Sequence, residues 1–405
     1  MKSNTTQLLI LPASLCWLGL ISVYGCVNID YSDCYWSISS FSLFLSLIPL
    51  IFFCFFFNIL LQSPVSSSML YLSMVCSIVC FNCNNSVLFW ISYELAIIPL
   101  LFLLFADSPY SERFLAIWYL LGYIMVTSLP MLWVLVYMSY SSGSFTISEW
   151  ESDFGILSLV LFILFITKIP LPPFHAWLPV VHAEANSYVS IMLSGYIMKL
   201  GLIGVFRFNP HVWEDIFPYV GVSFLFSLIF FFNSFLELDS KRWLAFLSLS
   251  HILIAIVSLL CQPWMGVSVS SFYCLGHGIS AGLLFYLFLC FYNNSGSRNW
   301  LILGDINMNS LFIRFLSVTS LITLSSFPPS IQFLSEVGIL LNSFISSVFV
   351  LPYSVYLFIG GLVPALLISY FVSRCSNLTN ISFYYFSLSV QVVFCFSCFF
   401  WGALL

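Results

Sequence analysis

The sequence predicts an all-α membrane protein that crosses the bilayer many times. Of its 405 residues 61% are hydrophobic, and only ten Lys or Arg and fifteen Asp or Glu carry charge. An average soluble chain of this length has roughly 100 charged side chains, so this composition cannot supply a polar surface. Ten basic residues also cannot form the basic face that a nucleic-acid-binding protein needs, and no nucleic acid is expected among its partners.

Thirteen apolar runs are long enough to cross a hydrocarbon core about 30 Å thick. The predicted spans are 6–26, 36–62, 66–82, 86–105, 113–138, 154–183, 187–208, 216–236, 241–261, 267–292, 310–345, 348–373 and 382–404. Short connections hold most of the charges, and no linker is long enough to separate domains. Membrane lipids therefore surround much of the predicted surface.

Two of these spans, 154–183 and 310–345, are interrupted by the pairs Pro172-Pro173 and Pro328-Pro329. Proline removes a backbone donor and clashes with the preceding turn, so each span is predicted to be a broken helix. Irregular backbone at membrane depth needs protein or a hydrated cavity to satisfy its polar groups.

Paired breaks in corresponding halves are typical of transporters built from repeats, although two unrelated kinks would give the same pattern. About five spans fill each half, and an odd number would invert one repeat relative to the other. We expect peripheral helices over 1–62, a first repeat over 63–209, a second over 210–375 and a C-terminal helix over 376–405.

Six ionisable residues fall inside the predicted spans. They are Glu94, Lys168, Lys199, His251, His277 and Glu336. One charge at the bilayer centre costs about 2.5–3.5 kcal/mol on insertion scales, so these groups must face one another or water. Acids, lysines and histidines at similar depth can form a lateral path for protons, since histidine exchanges protons near neutral pH.

Each of these residues also has a structural interpretation. Taken singly, His251 or His277 can have the purely structural role of a hydrogen bond to a neighbouring carbonyl group. Lys168 can extend from the helix break to the membrane interface, and Glu336 can cap the helix that follows its break. Glu94 and Lys199 can belong to a static ion pair. Composition alone leaves these alternatives open.

Other chemistry has little support in the sequence. A haem between helices needs facing pairs of histidines, whereas only two histidines are central in their spans. The pairs Cys80/Cys83 and Cys395/Cys398 have C-x-x-C spacing, but they lie in or beside apolar runs, where cysteine behaves as a small hydrophobe. No phosphate-binding, flavin or nicotinamide motif is present, so no cofactor and no metal are expected in this chain.

The longest motif lies at the first break. Residues 168–179 read KIPLPPFHAWLP and are followed by VVHAEA, and residues 193–208 read LSGYIMKLGLIGVFRF. The sequence strongly resembles the subunit 4 family of mitochondrial NADH:ubiquinone oxidoreductase (respiratory complex I), an antiporter-like membrane subunit. The resemblance covers about residues 65–375, and further segments at 90–101, 238–252, 276–282 and 326–340 occur in the family's order.

This resemblance implies two inverted five-helix repeats, a multi-pass location in the mitochondrial inner membrane and proton translocation. It implies that Glu94 and Lys168 form a switching ion pair and that Lys199 is the central proton carrier. His251 and His277 would extend the polar axis. FMN, iron–sulfur clusters, NADH and ubiquinone would be bound by other subunits, and the partners would be other membrane-arm subunits, including neighbouring antiporter-like ones.

Glu336 would lie at the exit-side broken helix, by the same resemblance. The sequence departs from the family at Val180, where an acid is usual, and at Asn186, where a proline is usual. About one span fewer precedes Glu94 than precedes the matching residue in the family, so we expect an N-terminal helix to be missing or replaced by another subunit. The alternatives are a cation/proton antiporter of the same ancestry and a structural spacer that has lost pumping, although all six polar-axis residues are present.

Overall fold

The protein is almost entirely helical. The computed structural model describes residues 31–56, 64–150, 154–208, 213–261, 265–306, 311–343 and 349–373, together with Cys395 and Cys398. The helices are α1 (Ser40–Phe56), α2 (Pro64–Asn82), α3 (Ser86–Asp107), α4 (Arg113–Ser142), α5 (Ile156–Ile166), α6 (Trp177–Glu184), α7 (Ser187–Met192), α8 (Met198–Phe208), α9 (Trp213–Leu236), α10 (Ser240–Cys261), α11 (Met265–Ser295), α12 (Trp300–Ile306), α13 (Leu311–Leu324), α14 (Ile331–Ser343) and α15 (Val350–Ser373).

The predicted class, an all-α polytopic membrane protein, is confirmed. Within the described ranges, eight helical segments are long and apolar enough to cross a membrane, and three shorter apolar helices accompany them. The predicted spans 6–26 and 382–404 lie outside the described residues apart from two cysteines, so the total of thirteen spans stays a prediction.

Both predicted helix breaks are present. The first separates α5, which ends at Ile166, from α6, which begins at Trp177. The second separates α13, which ends at Leu324, from α14, which begins at Ile331. Each break contains one cis Pro-Pro bond.

Two local features were not predicted. A short antiparallel hairpin, β1 (Tyr31–Ser32) and β2 (Ser37–Ile38), precedes α1. The first described helix therefore begins at Ser40 and not at residue 36, because Ser39 and Ser42 each accept a hydrogen bond from the other's backbone N–H. A π-helical turn at Leu193–Ile197 also interrupts the span between α7 and α8.

The contacts divide the chain into two compact units. The first contains the described residues up to Ile169 and the segment Tyr196–Asp215, and the second contains Pro170–Gly195 and the described residues from Ile216 onward. In the first unit α2 packs against α1 and α3, and α5 packs against α8. In the second unit α10 and α11 pack against each other and against α14, and both are almost wholly buried. The predicted repeat boundaries stay a prediction.

Candidate functional site

Glu94 lies on a buried face of α3 in the first unit. Asn85 begins this helix, and its side chain accepts hydrogen bonds from the backbone N–H groups of Val87 and Leu88. Glu94 follows two turns later, and its side chain is 6% exposed. Neither of its carboxylate oxygens makes a hydrogen bond. A carboxylate in this setting is costly, so it needs a nearby cation or a proton.

Lys168 supplies the nearby cation. It follows α5 at the start of the first break, where its backbone N–H donates to the Phe165 carbonyl at 3.0 Å, and it is 2% exposed. Lys168 and Glu94 interact electrostatically. No ion pair within 4.0 Å joins them, and Lys168 Nζ makes no hydrogen bond. The two groups are thus coupled without being locked together, and the switching ion pair itself stays a prediction.

Lys199 is the third of the predicted site residues in the first unit. It is the second residue of α8, it is 0% exposed, and it comes directly after the π turn. A π turn changes the direction in which the following side chains point, and such turns are frequent at functional sites. The sequence singles out Lys199 by its charge, whereas the only marker of the π turn is the weak helix-forming pair Ser194-Gly195.

Two glycines let α8 approach α5 closely. A Cβ at Gly201 would lie 2.5 Å from Ile169 Cγ1 and 3.0 Å from the Phe165 carbonyl oxygen, and one at Gly204 would overlap the Phe165 ring. Only a residue without a side chain fits at these positions. Because Gly201 and Lys199 are two residues apart, this packing fixes the depth of the Lys199 backbone.

His251 is the centre of the polar group in the second unit. It lies on α10, is 1% exposed, and its Nδ1 atom is approached by three polar side chains. The Tyr356 hydroxyl lies at 2.5 Å, the Tyr273 hydroxyl at 3.0 Å and the Gln332 amide nitrogen at 3.4 Å. A neutral imidazole that accepts at Nδ1 carries its proton on Nε2. The Gln332 amide nitrogen can only donate, so it favours the tautomer in which Nδ1 accepts and Nε2 carries the proton.

Gln332 connects this histidine to α11. Its Oε1 atom accepts a hydrogen bond from the Ser280 hydroxyl at 3.3 Å, one turn beyond His277. The His277 ring is 1% exposed, and its centroid lies 5.6 Å from that of His251. The two histidines thus lie side by side on the packed helices α10 and α11, and the Gln332 amide bonds to His251 and to Ser280.

Glu336 lies on α14, one turn after Gln332 and on the same face. It is 4% exposed, and the Ser326 hydroxyl from the second break donates to its Oε1 atom at 2.7 Å. The Tyr353 hydroxyl donates to the Glu336 backbone carbonyl at 3.1 Å. The contact with Ser326 explains why this acid is placed beside the break, since the irregular backbone directs a donor at it.

Other residues of the second unit hold the first break and the carboxyl end of α6, the helix that follows it. The Tyr219 hydroxyl donates to the Pro172 carbonyl, Lys241 Nζ to the Ala185 carbonyl at 2.8 Å, and Arg298 to the Ala183 carbonyl. Cations at the carboxyl end of α6 also compensate its helix dipole. Arg298 is fixed in turn by an ion pair with Asp239 at 3.3 Å.

His175 lies in the first break, and His182 lies in α6. Their rings pack against aromatic side chains: His175 lies 4.9 Å from the ring of Phe230, and His182 stacks on Phe285 at 5.1 Å. The cysteines of both C-x-x-C pairs are free thiols and buried. No group of three or more His, Cys, Asp or Glu side chains that could hold a metal ion occurs in the part of the chain that the structure describes.

All six predicted site residues are buried, but they fall into two groups. Glu94, Lys168 and Lys199 belong to the first unit, and His251, His277 and Glu336 to the second. Sequence reasoning missed the neutral partners in the second group. Of these, Gln332 had a usable signal, since it is an amide four residues before Glu336 in an apolar helix. Tyr273 and Tyr356 had none, because the chain contains 21 tyrosines.

Known proteins show similarity along most of the chain. NADH-ubiquinone oxidoreductase chain 4 of Locusta migratoria is 30% identical over 366 residues, which are 82% of this chain and 78% of that protein. Chain 4 of Caenorhabditis elegans is 30% identical over 64% of this chain and 63% of that protein. Chain 4 of Myxine glutinosa is 29% identical over 72% and 67%.

Solved structures show the same fold at low sequence identity. A chain of respiratory complex I from Thermus thermophilus with bound NADH superposes with a TM-score of 0.83 at 17% identity, over 95% of this chain and 89% of that one. A chain of the Mrp complex from Dietzia sp. DQ12-45-1b gives 0.80 at 13% identity, over 98% and 89%. The profile of the family described as NADH:quinone oxidoreductase/Mrp antiporter, transmembrane, matches residues 83–362. The chain therefore belongs to the NADH:quinone oxidoreductase/Mrp antiporter family of membrane proteins.

Proposed function

We propose that this chain is a proton-translocating subunit in the membrane arm of mitochondrial NADH:ubiquinone oxidoreductase. The observation that carries the proposal is the burial of six titratable side chains, at 0–6% exposure, in a member of this family. Each such group is costly in an apolar helix, and proton transfer gives all six a common use. The relatives named NADH-ubiquinone oxidoreductase chain 4 indicate the assembly and the inner mitochondrial membrane.

Proton transfer begins in the first unit, where protons are bound and released by Glu94, Lys168 and Lys199. With Glu94 near Lys168, the carboxylate holds the lysine in its charged form, and with Glu94 farther away the apolar surroundings favour the neutral amine. Because no ion pair within 4.0 Å locks the two groups, small shifts can change how strongly Lys168 binds its proton. Lys199 then accepts or releases a proton according to the charge at Lys168.

His251, His277 and Glu336 carry the proton in the second group. An imidazole passes a proton by binding it at one nitrogen and releasing it from the other, which requires a hydrogen-bonded partner on each side. Tyr356 and Tyr273 provide this partner at Nδ1 of His251. Glu336, beside the Ser326 hydroxyl, is the terminal acceptor.

The redox chemistry takes place elsewhere in the proposed assembly. NADH, FMN, the iron–sulfur clusters and ubiquinone are bound by other subunits, and the partners of this chain are membrane-arm subunits, including further antiporter-like ones, and lipids. This chain contributes the proton path, and conformational changes transmitted through neighbouring subunits drive the shift between Glu94 and Lys168.

A cation/proton antiporter of the same ancestry is the second candidate, since the fold also matches a chain of the Mrp complex. Isolation of the chain from its native membranes in mild detergent distinguishes the two. Complex I membership predicts that NADH-oxidising iron–sulfur subunits co-migrate with the chain on a native gel. An antiporter would migrate without them and would exchange cations for protons without NADH.

A further inference from the structure

A cavity of about 350 Å³ lies at one end of the helices of the first unit. Its lining comes from residues at helix ends and in the connections between them: Ser39 before α1, Asn84 between α2 and α3, Ser148 and Trp150 after α4, and Arg207 in the last turn of α8. Because these positions are the ends of spans, the cavity lies at the level of one membrane surface. None of the six proton-transfer residues lines it.

Arg207 is the only charged residue in this lining among the residues described. One arm of its guanidinium group, Nη2, donates to the Phe81 carbonyl at 2.5 Å and to the Ser37 carbonyl at 3.4 Å. The other arm, Nη1, is shielded from solvent and makes no hydrogen bond. Within the described ranges no carboxylate lies within 4.0 Å of this group. A cation in this position is stabilised by an anion that brings its own oxygen acceptors.

Two serines of the lining can also donate hydrogen bonds. Ser39 Oγ accepts from the backbone N–H of Ser42, and Ser148 Oγ accepts from the Asn84 amide, so each hydroxyl keeps its own proton to donate. The rest of the wall is apolar and includes Phe206. The cavity therefore combines one cation, hydroxyl donors and an apolar wall in a volume typical of a small-ligand site.

We propose that this cavity binds the phosphate group of an anionic phospholipid. A phosphate oxygen would accept from Nη1 of Arg207 after a small rotation of the side chain, because guanidinium and phosphate match in geometry. The apolar wall and the position at the membrane surface favour a lipid headgroup over free phosphate. This site is independent of the proposed proton path.

The test uses the assembled complex in phosphatidylcholine vesicles with a photoactivatable phosphatidylglycerol. We expect cross-links to peptides that contain residues 138–154 or 206–208, and competition by unlabelled phosphatidylglycerol but not by added phosphatidylcholine. Arg207→Gln keeps a polar side chain and removes the charge. It should lower the cross-link yield on the order of tenfold, since a hydrogen bond to a charged group is lost. Ser148→Ala, which leaves Arg207 intact, should lower the yield about threefold.

Arg113→Gln is the matched control, because Arg113 also lies at a span end and donates to a carbonyl, that of Ser108, at 2.8 Å. Its yield should equal that of the wild type. An unchanged yield in Arg207→Gln, or equal labelling by a phosphatidylcholine probe, would overturn the proposal. Competition by inorganic phosphate at millimolar concentration would assign the site to free phosphate and reject the lipid.

Discussion

The hydrogen bonds at His251 predict that its two tyrosine partners can replace each other. Two phenols lie within hydrogen-bond distance of the same nitrogen, Tyr356 at 2.5 Å and Tyr273 at 3.0 Å, while the Gln332 amide is farther away at 3.4 Å. The nitrogen has one lone pair or one proton, so a single phenol suffices to satisfy it. Replacement of either phenol by phenylalanine leaves the other in place.

The expected energies follow from these distances. A neutral hydrogen bond contributes about 0.5–1.5 kcal/mol, and a buried group that loses its last partner costs about 1–3 kcal/mol. Tyr356→Phe or Tyr273→Phe alone should therefore slow proton translocation no more than about twofold. In the double variant the only remaining partner of Nδ1 is Gln332, at a distance near the limit for a hydrogen bond. We expect this loss to raise the barrier to proton transfer by about 1–2 kcal/mol, which lowers the translocation rate roughly 5- to 30-fold.

The assay is NADH-driven acidification of proteoliposomes that contain the purified complex, with NADH oxidation measured in the same sample. A double-mutant cycle then gives a coupling of about 1 kcal/mol between the two phenols. The interpretation is wrong if one single variant is as slow as the double variant, or if the double variant translocates protons at the wild-type rate.

Two further predictions compare matched substitutions. Glu94→Gln removes a buried carboxylate and should lower proton translocation roughly a hundredfold, whereas Glu112→Gln, just before α4, should have no effect; equal effects would contradict the switch. Gly201→Ala places a methyl group 3.0 Å from the Phe165 carbonyl oxygen and should destabilise the protein by about 1–3 kcal/mol, seen as a lower melting temperature of the complex. Gly122→Ala meets no atom within 4 Å and should not lower it, so equal losses would refute the close packing of α8 on α5.

Helix breaks could be predicted from the sequence because two prolines act together. Single prolines do not have the same effect: Pro99 and Pro130 lie inside the continuous helices α3 and α4. A helix tolerates the loss of one hydrogen bond where its neighbours pack well, but adjacent prolines remove two donors and force an irregular turn. The π turn at Leu193–Ile197 has only a weak marker, the pair Ser194-Gly195, which lowers helix propensity without removing a backbone donor.

The charged part of the candidate site was accessible from the sequence for a similar reason. A charge within an apolar span is rare and expensive, so Lys199 and Glu336 stand out without any structure. Neutral hydrogen-bond partners such as Tyr356 and Ser326 are common residue types, and only the packing of α15 and the path of the second break bring them to His251 and Glu336. The geometry of the Glu94–Lys168 pair also needed the structure, since spacing predicts proximity but not the absence of a contact within 4.0 Å.

Lys199→Met tests the central claim most directly, because methionine fills a similar apolar volume and cannot carry a proton. The measurement is the number of protons translocated per NADH oxidised by the reconstituted complex, with assembly checked on a native gel. If Lys199 carries protons, this ratio falls while the complex remains assembled. An assembled variant with the wild-type ratio would contradict the assignment of proton transfer to this buried lysine.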